Sequence, residues 1–117
     1  GDTYLDAGKY QAAWSYLAKA LEASDKSLAA DADNNALLRR RARILDKIAQ
    51  AEQALGRTDT AIATRRRQIE VLEKLAAQRG GAVETQADTY GTLIGLLESK
   101  GGHDDEIAEL RRKVAAL

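Results

Sequence analysis

The side chains with the most chemical reach in this sequence are its arginines. Arg39-Arg40-Arg41 with Arg43, Arg65-Arg66-Arg67 and Arg111-Arg112-Lys113 make three basic clusters that could hold phosphate, as an RNA-binding stripe would. A helix turns about 100° per residue, so three consecutive residues fan over about 200° and make no flat patch. Asp46, Glu70, Glu73 and Glu109 lie near the clusters and can pair with them. Solvated or inter-helix ion pairs are the expected role, and no nucleic-acid partner is expected. Asp31-x-Asp33-x-Asn35 has the opening spacing of a calcium loop. The positions that would need Gly and Glu are Ala36 and Ala42, so the cluster reads as an Asx-rich helix connection and not a metal site. His103 beside Asp104 and Asp105 could do acid–base work, but no hydroxyl or thiol nucleophile is near it in sequence, and a helix-cap role is expected. With no Cys there is no thiol catalysis, disulfide or thiolate site, and a lone His leaves no His–His metal pair. Nucleophile, base and orienting group are never found together, so the chain is read as no enzyme, with no catalytic residue, metal or cofactor.

The elements that would position any site are helices. The chain has 117 residues, with 18 Lys and Arg against 18 Asp and Glu. That is one domain's length, and the balanced charge argues against a dedicated nucleic-acid binder or a basic membrane-surface helix. No apolar run approaches the roughly 20 residues of a membrane span and no signal-like leader is seen, so no membrane partner is expected and the cytoplasm is favoured. Ala, Leu, Arg, Glu, Gln and Lys dominate, all good helix formers, while β-branched residues never alternate over a strand length. Heavy use of Ala and Arg suggests a bacterial source, and the start at Gly1-Asp2 suggests a fragment of a longer protein.

Without any Pro, glycines and Asx clusters must punctuate the chain. Breaks are expected at Gly8, at Asp31–Asn35, at Gly56-Arg57-Thr58-Asp59, at Arg79-Gly80-Gly81 and at Lys100-Gly101-Gly102, the last two pairing a cation with a glycine C-cap. Between them run apolar stripes of helical period. Leu38, Leu45, Ile48, Glu52 and Leu55 share one face, as do Ile62, Ile69, Leu72 and Leu75, and Val83, Ala87, Tyr90, Ile94 and Leu97. Six helices are predicted, over 1–7, 9–30, 35–55, 58–79, 83–100 and 104–116. Gly91 and Gly95, four apart, are expected to admit a close neighbouring helix.

Aligning the segments after Gly8, Gly56 and Gly102 gives a repeat with spacings of 48 and 46 residues, in which Arg65-Arg66-Arg67 overlies Arg111-Arg112-Lys113. Gly1-x-x-Tyr4, then Gly8-Lys9-Tyr10-Gln11-Ala12-Ala13, Leu17 and Ala20, with Ile94-Gly95 later in the chain, resemble the tetratricopeptide repeat family in a long-helix form. The repeats exceed that family's usual 34 residues, and Asp25 and Glu73 stand where it places Pro. The resemblance implies an all-α solenoid of antiparallel helix pairs in one domain, with repeats over about 1–31, 35–79 and 83–117 and a truncated first helix. It further implies a scaffold whose concave face binds a peptide or helix of a partner protein. The concave positions it implies are Asp2, Leu5 and Asp6, then Arg43, Asp46, Lys47, Gln50 and Gln53, then Thr89, Thr92, Leu93 and Leu96. Leu93 and Leu96 would supply apolar contact, and Arg43, Lys47 and Gln50 register. Of Asp2, Lys47, Thr89 and Leu93, where one subtype clamps a chaperone's terminal carboxylate, only Lys47 suits that task. Tyr4, Tyr10, Trp14 and Tyr16 hold four of the five aromatics, so a structural or homodimeric bundle joined at the Tyr4/Trp14 end is the alternative reading.

Overall fold

The structure is a computed structural model that describes the backbone from Thr3 to Leu117 and the side chains from Asp6 onward. It is all-helical over these residues, with α1 (Thr3–Ala30), α2 (Asn35–Ala54), α3 (Thr58–Ala77), α4 (Val83–Lys100) and α5 (Asp104–Ala115). Among the described residues, backbones approach one another only between helices adjacent in sequence. The molecule measures 46 × 37 × 20 Å, and its least dimension equals about two helix diameters.

Five helices replace the six expected, because α1 runs unbroken through Gly8. A single glycine inside a helix costs only about 1 kcal/mol, less than a break in a long hydrogen-bonded run. Gly8 is therefore no counterpart of Gly56, where a left-handed residue (φ 75°) closes α2. There the Arg57 amide donates back to the Glu52 carbonyl at 2.8 Å and the Gly56 amide to the Gln53 carbonyl at 3.0 Å, a Schellman closure. Gly101 and Gly102 are left-handed too, at φ 78° and 79°. After α3 the left-handed position falls to Arg79 (φ 59°), not to Gly80. Gly80 serves a close approach instead, since a Cβ there would meet the Asn35 side chain at 2.6 Å.

Helix starts are uneven. The Asn34 side chain accepts the Leu37 amide at 3.1 Å and caps α2, the turn chemistry expected of the Asx cluster. His103 occupies the N-cap position of α5, but its side chain caps nothing and lies 3.9 Å from Glu106. Arg57 precedes α3, again without a side-chain cap.

Two apolar clusters meet on α3. The first joins Leu21 of α1, Leu38, Ile44, Leu45 and Ile48 of α2 and Val71, Leu72 and Leu75 of α3, with Trp14 and Leu17 packed against it. The second joins Ile62 and Ile69 of α3, Tyr90, Leu93 and Leu97 of α4 and Ile107 and Leu110 of α5. The predicted stripes supply most of these cores, except that Val83 is exposed at the start of α4 and Leu55 and Ala87 are only half-buried. Gly91 and Gly95 lie on the exposed side of α4 with nothing described within 4 Å of a Cβ placed there, so no described helix approaches them. No described helix is long and apolar enough to cross a membrane.

Candidate functional site

On α2, Arg39, Arg43, Asp46, Gln50 and Gln53 step by four, three, four and three residues and share an arc of about 80°. On α4, Thr85, Thr89, Thr92 and Leu96 do the same within about 60°. Between these faces, over α3, lies an open cleft of about 490 Å³. Arg39, Ala42 and Arg43 form its α2 wall, Leu72, Leu75 and Gln68 its floor, and the Gly80-Gly81-Ala82 turn with Thr85 its far side. Leu72 and Leu75 close the floor but are already packed to 5% and 1% exposure, so the exposed lining is Arg39, Arg43, Gly81, Ala82 and Thr85.

The expected site residues divide under this geometry. Arg43 lines the cleft, exposed. Asp46, Gln50 and Gln53 continue the same wall but are engaged with one another and with α3. Lys47 sits about 80° round α2 from Arg39, on the helix crest and away from the cleft. Thr92 and Leu96 are half-buried on the α4 wall. Thr89 and Leu93 are corrections. Leu93 is 1% exposed inside the second apolar cluster, and Thr89 is 4% exposed with its hydroxyl donating to the Thr85 carbonyl. Neither is accessible to a partner, because one face of α4 must serve the core and Leu93 falls on it. Asp6 is exposed on α1, whereas Asp2 and the side chains of Tyr4 and Leu5 lie outside the described residues.

Arg65 lies between the two walls on α3, at 5% exposure. One guanidinium nitrogen donates to Asp46 and, at 2.9 Å, to Gln68, and the other reaches Gln53 at 3.4 Å. This is the inter-helix ion pair expected of the basic clusters, and it neutralises the only carboxylate on the α2 wall. Other members of those clusters pair likewise: Arg41 with Asp25 at 2.7 Å, Arg66 with Glu106 at 2.6 Å, Lys113 with Glu73 at 3.0 Å and Arg111 with Glu98 at 3.1 Å. The bond from Arg66 holds the Glu106 carboxyl below the usual carboxylate range, and the bond to Glu73 raises the Lys113 ammonium above its usual value.

On the other face of α3, α5 is tied to it directly by the Arg66–Glu106 and Glu73–Lys113 pairs. Tyr90, 1% exposed, also donates to Glu73 at 2.8 Å and accepts from Gln86 at 3.0 Å. Burial, more than any bond, pushes its phenol above the ordinary value. Near α1, Glu52 is 2% exposed and accepts from the Trp14 indole at 3.2 Å and from the Thr64 hydroxyl. That carboxylate joins α1, α2 and α3 through neutral donors alone. Trp14, partly buried, packs against the first apolar cluster, while Tyr10 and Tyr16 remain 43% and 75% exposed.

Sequence reasoning missed Arg39, Gln68 and Thr85 as cleft residues. Arg39 and Thr85 were legible as one helical turn before Arg43 and Thr89. Gln68 carried no signal, since a glutamine on a long amphipathic helix reads as surface. Among the described residues no group of three or more His, Asp or Glu side chains could hold a metal ion. Compared with known proteins, the chain matches no family model, no curated protein and no solved structure.

Proposed function

We propose that this chain is a non-enzymatic interaction module that seats a peptide or helix of a partner protein in the cleft between α2 and α4. The architecture that goes with this reading is a solenoid of glycine-hinged pairs, α2–α3 and α4–α5, stacked after α1, as the tetratricopeptide resemblance implies. The observation that supports it is a contrast across α3. On one face two ion pairs join α3 to α5, whereas on the other no side-chain bond joins α2 to α4 among the described residues. A cleft crossed by the Arg39 bond to the Gly80 carbonyl, with Ala82 and Thr85 exposed on one side and arginines on its rim, offers a partner some apolar contact and polar groups to fix register.

A peptide array probed with the wild-type chain and with Thr85→Trp tests this. The indole fills the cleft from an exposed position, so bound spots should fade in the variant while its helicity by circular dichroism stays unchanged. Equal binding by both would move the docking surface elsewhere. The exposure of Tyr10 and Tyr16 favours a second reading, assembly of two copies through α1. Light scattering across concentration separates the two, since a strict monomer at high micromolar concentration removes the assembly.

A further inference from the structure

We infer that two copies of this chain pair face to face, the basic crest of α2 in each copy lying on the acidic crest of α4 in the other. Arg40, Arg43 and Lys47 share an arc of about 60° on α2, opposite its buried Leu38 and Leu45. All three are exposed, and none makes a hydrogen bond or ion pair among the described residues. Glu84 and Asp88 share an arc of about 40° on α4, opposite Leu93 and Leu97, and their carboxylates are likewise exposed and without a partner among the described residues. Charges of one sign three and four residues apart on a helix repel one another, so each crest is unfavourable in the isolated chain. Arg41 and Arg66, by contrast, find Asp25 and Glu106 within the molecule. A surface of opposite sign relieves each crest, and the chain itself carries one for each.

The topology brings the two crests into register. Arg65 meets Asp46 and Gln78 meets Asn35, so α3 runs antiparallel to α2. Glu73 meets Tyr90 and Asp59 meets Lys100, so α4 runs antiparallel to α3 and parallel to α2. Both helices flank one cleft, in which Thr85 lies across from Arg39 and Arg43. Glu84 and Asp88, either side of Thr85 in sequence, therefore stand about level with Arg40 and Arg43 along the helices. A two-fold axis through the cleft and parallel to these helices lays α2 on the other copy's α4 without changing height. The cations of each copy then meet the carboxylates of the other, twice over. An axis across the helices would instead set α2 on α2 and like charge on like, so charge selects the first arrangement. A single exposed pair contributes little, so association depends on the doubled set and is weak and salt-sensitive. It does not rest on the docking reading, since the contacts lie on the crests and the two clefts face each other across the axis.

Sedimentation velocity of the whole chain at high micromolar concentration tests this with two charge reversals, Arg40→Glu/Arg43→Glu and Glu84→Lys/Asp88→Lys. These side chains make no internal bond among the described residues, so both variants should keep the wild-type helicity by circular dichroism. The wild type should dimerise at about 50 mM NaCl and dissociate at about 500 mM. Each variant alone should dimerise about tenfold more weakly, because both of its contacts then oppose like charges. An equimolar mixture of the two should regain the wild-type affinity: reversed α2 meets reversed α4 in one contact, and the native pair forms in the other. A wild type that is monomeric at low salt overturns the inference. So does a dimer that either variant leaves unchanged, which would place the interface elsewhere, on α1 for instance. A mixture that stays monomeric while the wild type dimerises overturns it as well.

Discussion

The α2–α3 and α4–α5 pairs begin from similar instructions and end in different physical states. Each turns at left-handed glycine, and each second helix carries a basic triplet in the same register, Arg65-Arg66-Arg67 and Arg111-Arg112-Lys113. Yet the Arg65 side chain is 6% exposed within a polar cluster, while that of Arg111 is 62% exposed and meets Glu98 at the surface. The cause is the number of helices packed against each. α3 is packed from both sides by α2 and α4, whereas among the described residues α5 has only α4 as a backbone neighbour. The same residue type in the same sequence register is structural where helices flank it on both sides and decorative where one side is water.

The sharpest way to break this contrast is to truncate both arginines. Arg65→Ala should cost about 2 kcal/mol, because it leaves a void and strips Asp46 of its partner, with some relief since Asp46 is partly exposed. Arg111→Ala should cost about 0.5 kcal/mol or less, as an exposed pair does. Urea unfolding of both measures it, and equal losses would erase the distinction. Arg65→Met separates stem from charge: it should recover much of the loss if packing of the aliphatic stem matters most.

The α4–α5 side can be sharpened in the opposite direction. Gly91 and Gly95 face open solvent, so Gly91→Ala/Gly95→Ala should stabilise the fold by roughly 1–2 kcal/mol, seen as a raised melting temperature. A fall instead would mean that α4 has a close neighbour at that face. Between the two pairs, Arg79→Gly should add up to about 1 kcal/mol by relieving a left-handed side-chain residue.

The smallest effect is on pH. Glu106 is depressed by its bond from Arg66, so its contribution is present above the ordinary carboxylate range and is lost as pH falls through its own value. Lys113 and Tyr90 are raised, so theirs is present below their ordinary values and is lost as pH climbs through the folded ones. Amide exchange in α5, corrected for intrinsic rates, should therefore quicken at both extremes of pH. Glu106→Gln should flatten the acid limb, and an unchanged limb would place the acid sensitivity elsewhere.

Helical class, the four later helices and nearly every core position were legible, because a 3.6-residue period of Leu and Ile forces one face out of water whatever lies opposite. Leu45, Ile48, Leu72, Leu75, Tyr90 and Leu97 are buried as their spacing requires. The site was legible only on α2. Arg43 lines the cleft, but Leu93 was lost to the core, because two leucines three apart on α4 look equally available until a neighbour chooses between them. Gly8 misled for a related reason: glycine permits a turn without compelling one, and a long helix with a packed face runs through it.

By itself the sequence determined where helices form, which stripes are apolar and which cations have carboxylates to meet, since all of these are local consequences of side-chain volume, polarity and period. Tertiary structure decided which arginine is buried, which rim stays free and that α2 and α4 stand apart over the leucines of α3. Those outcomes depend on how many helices press on each residue, a quantity that no window of neighbouring residues contains.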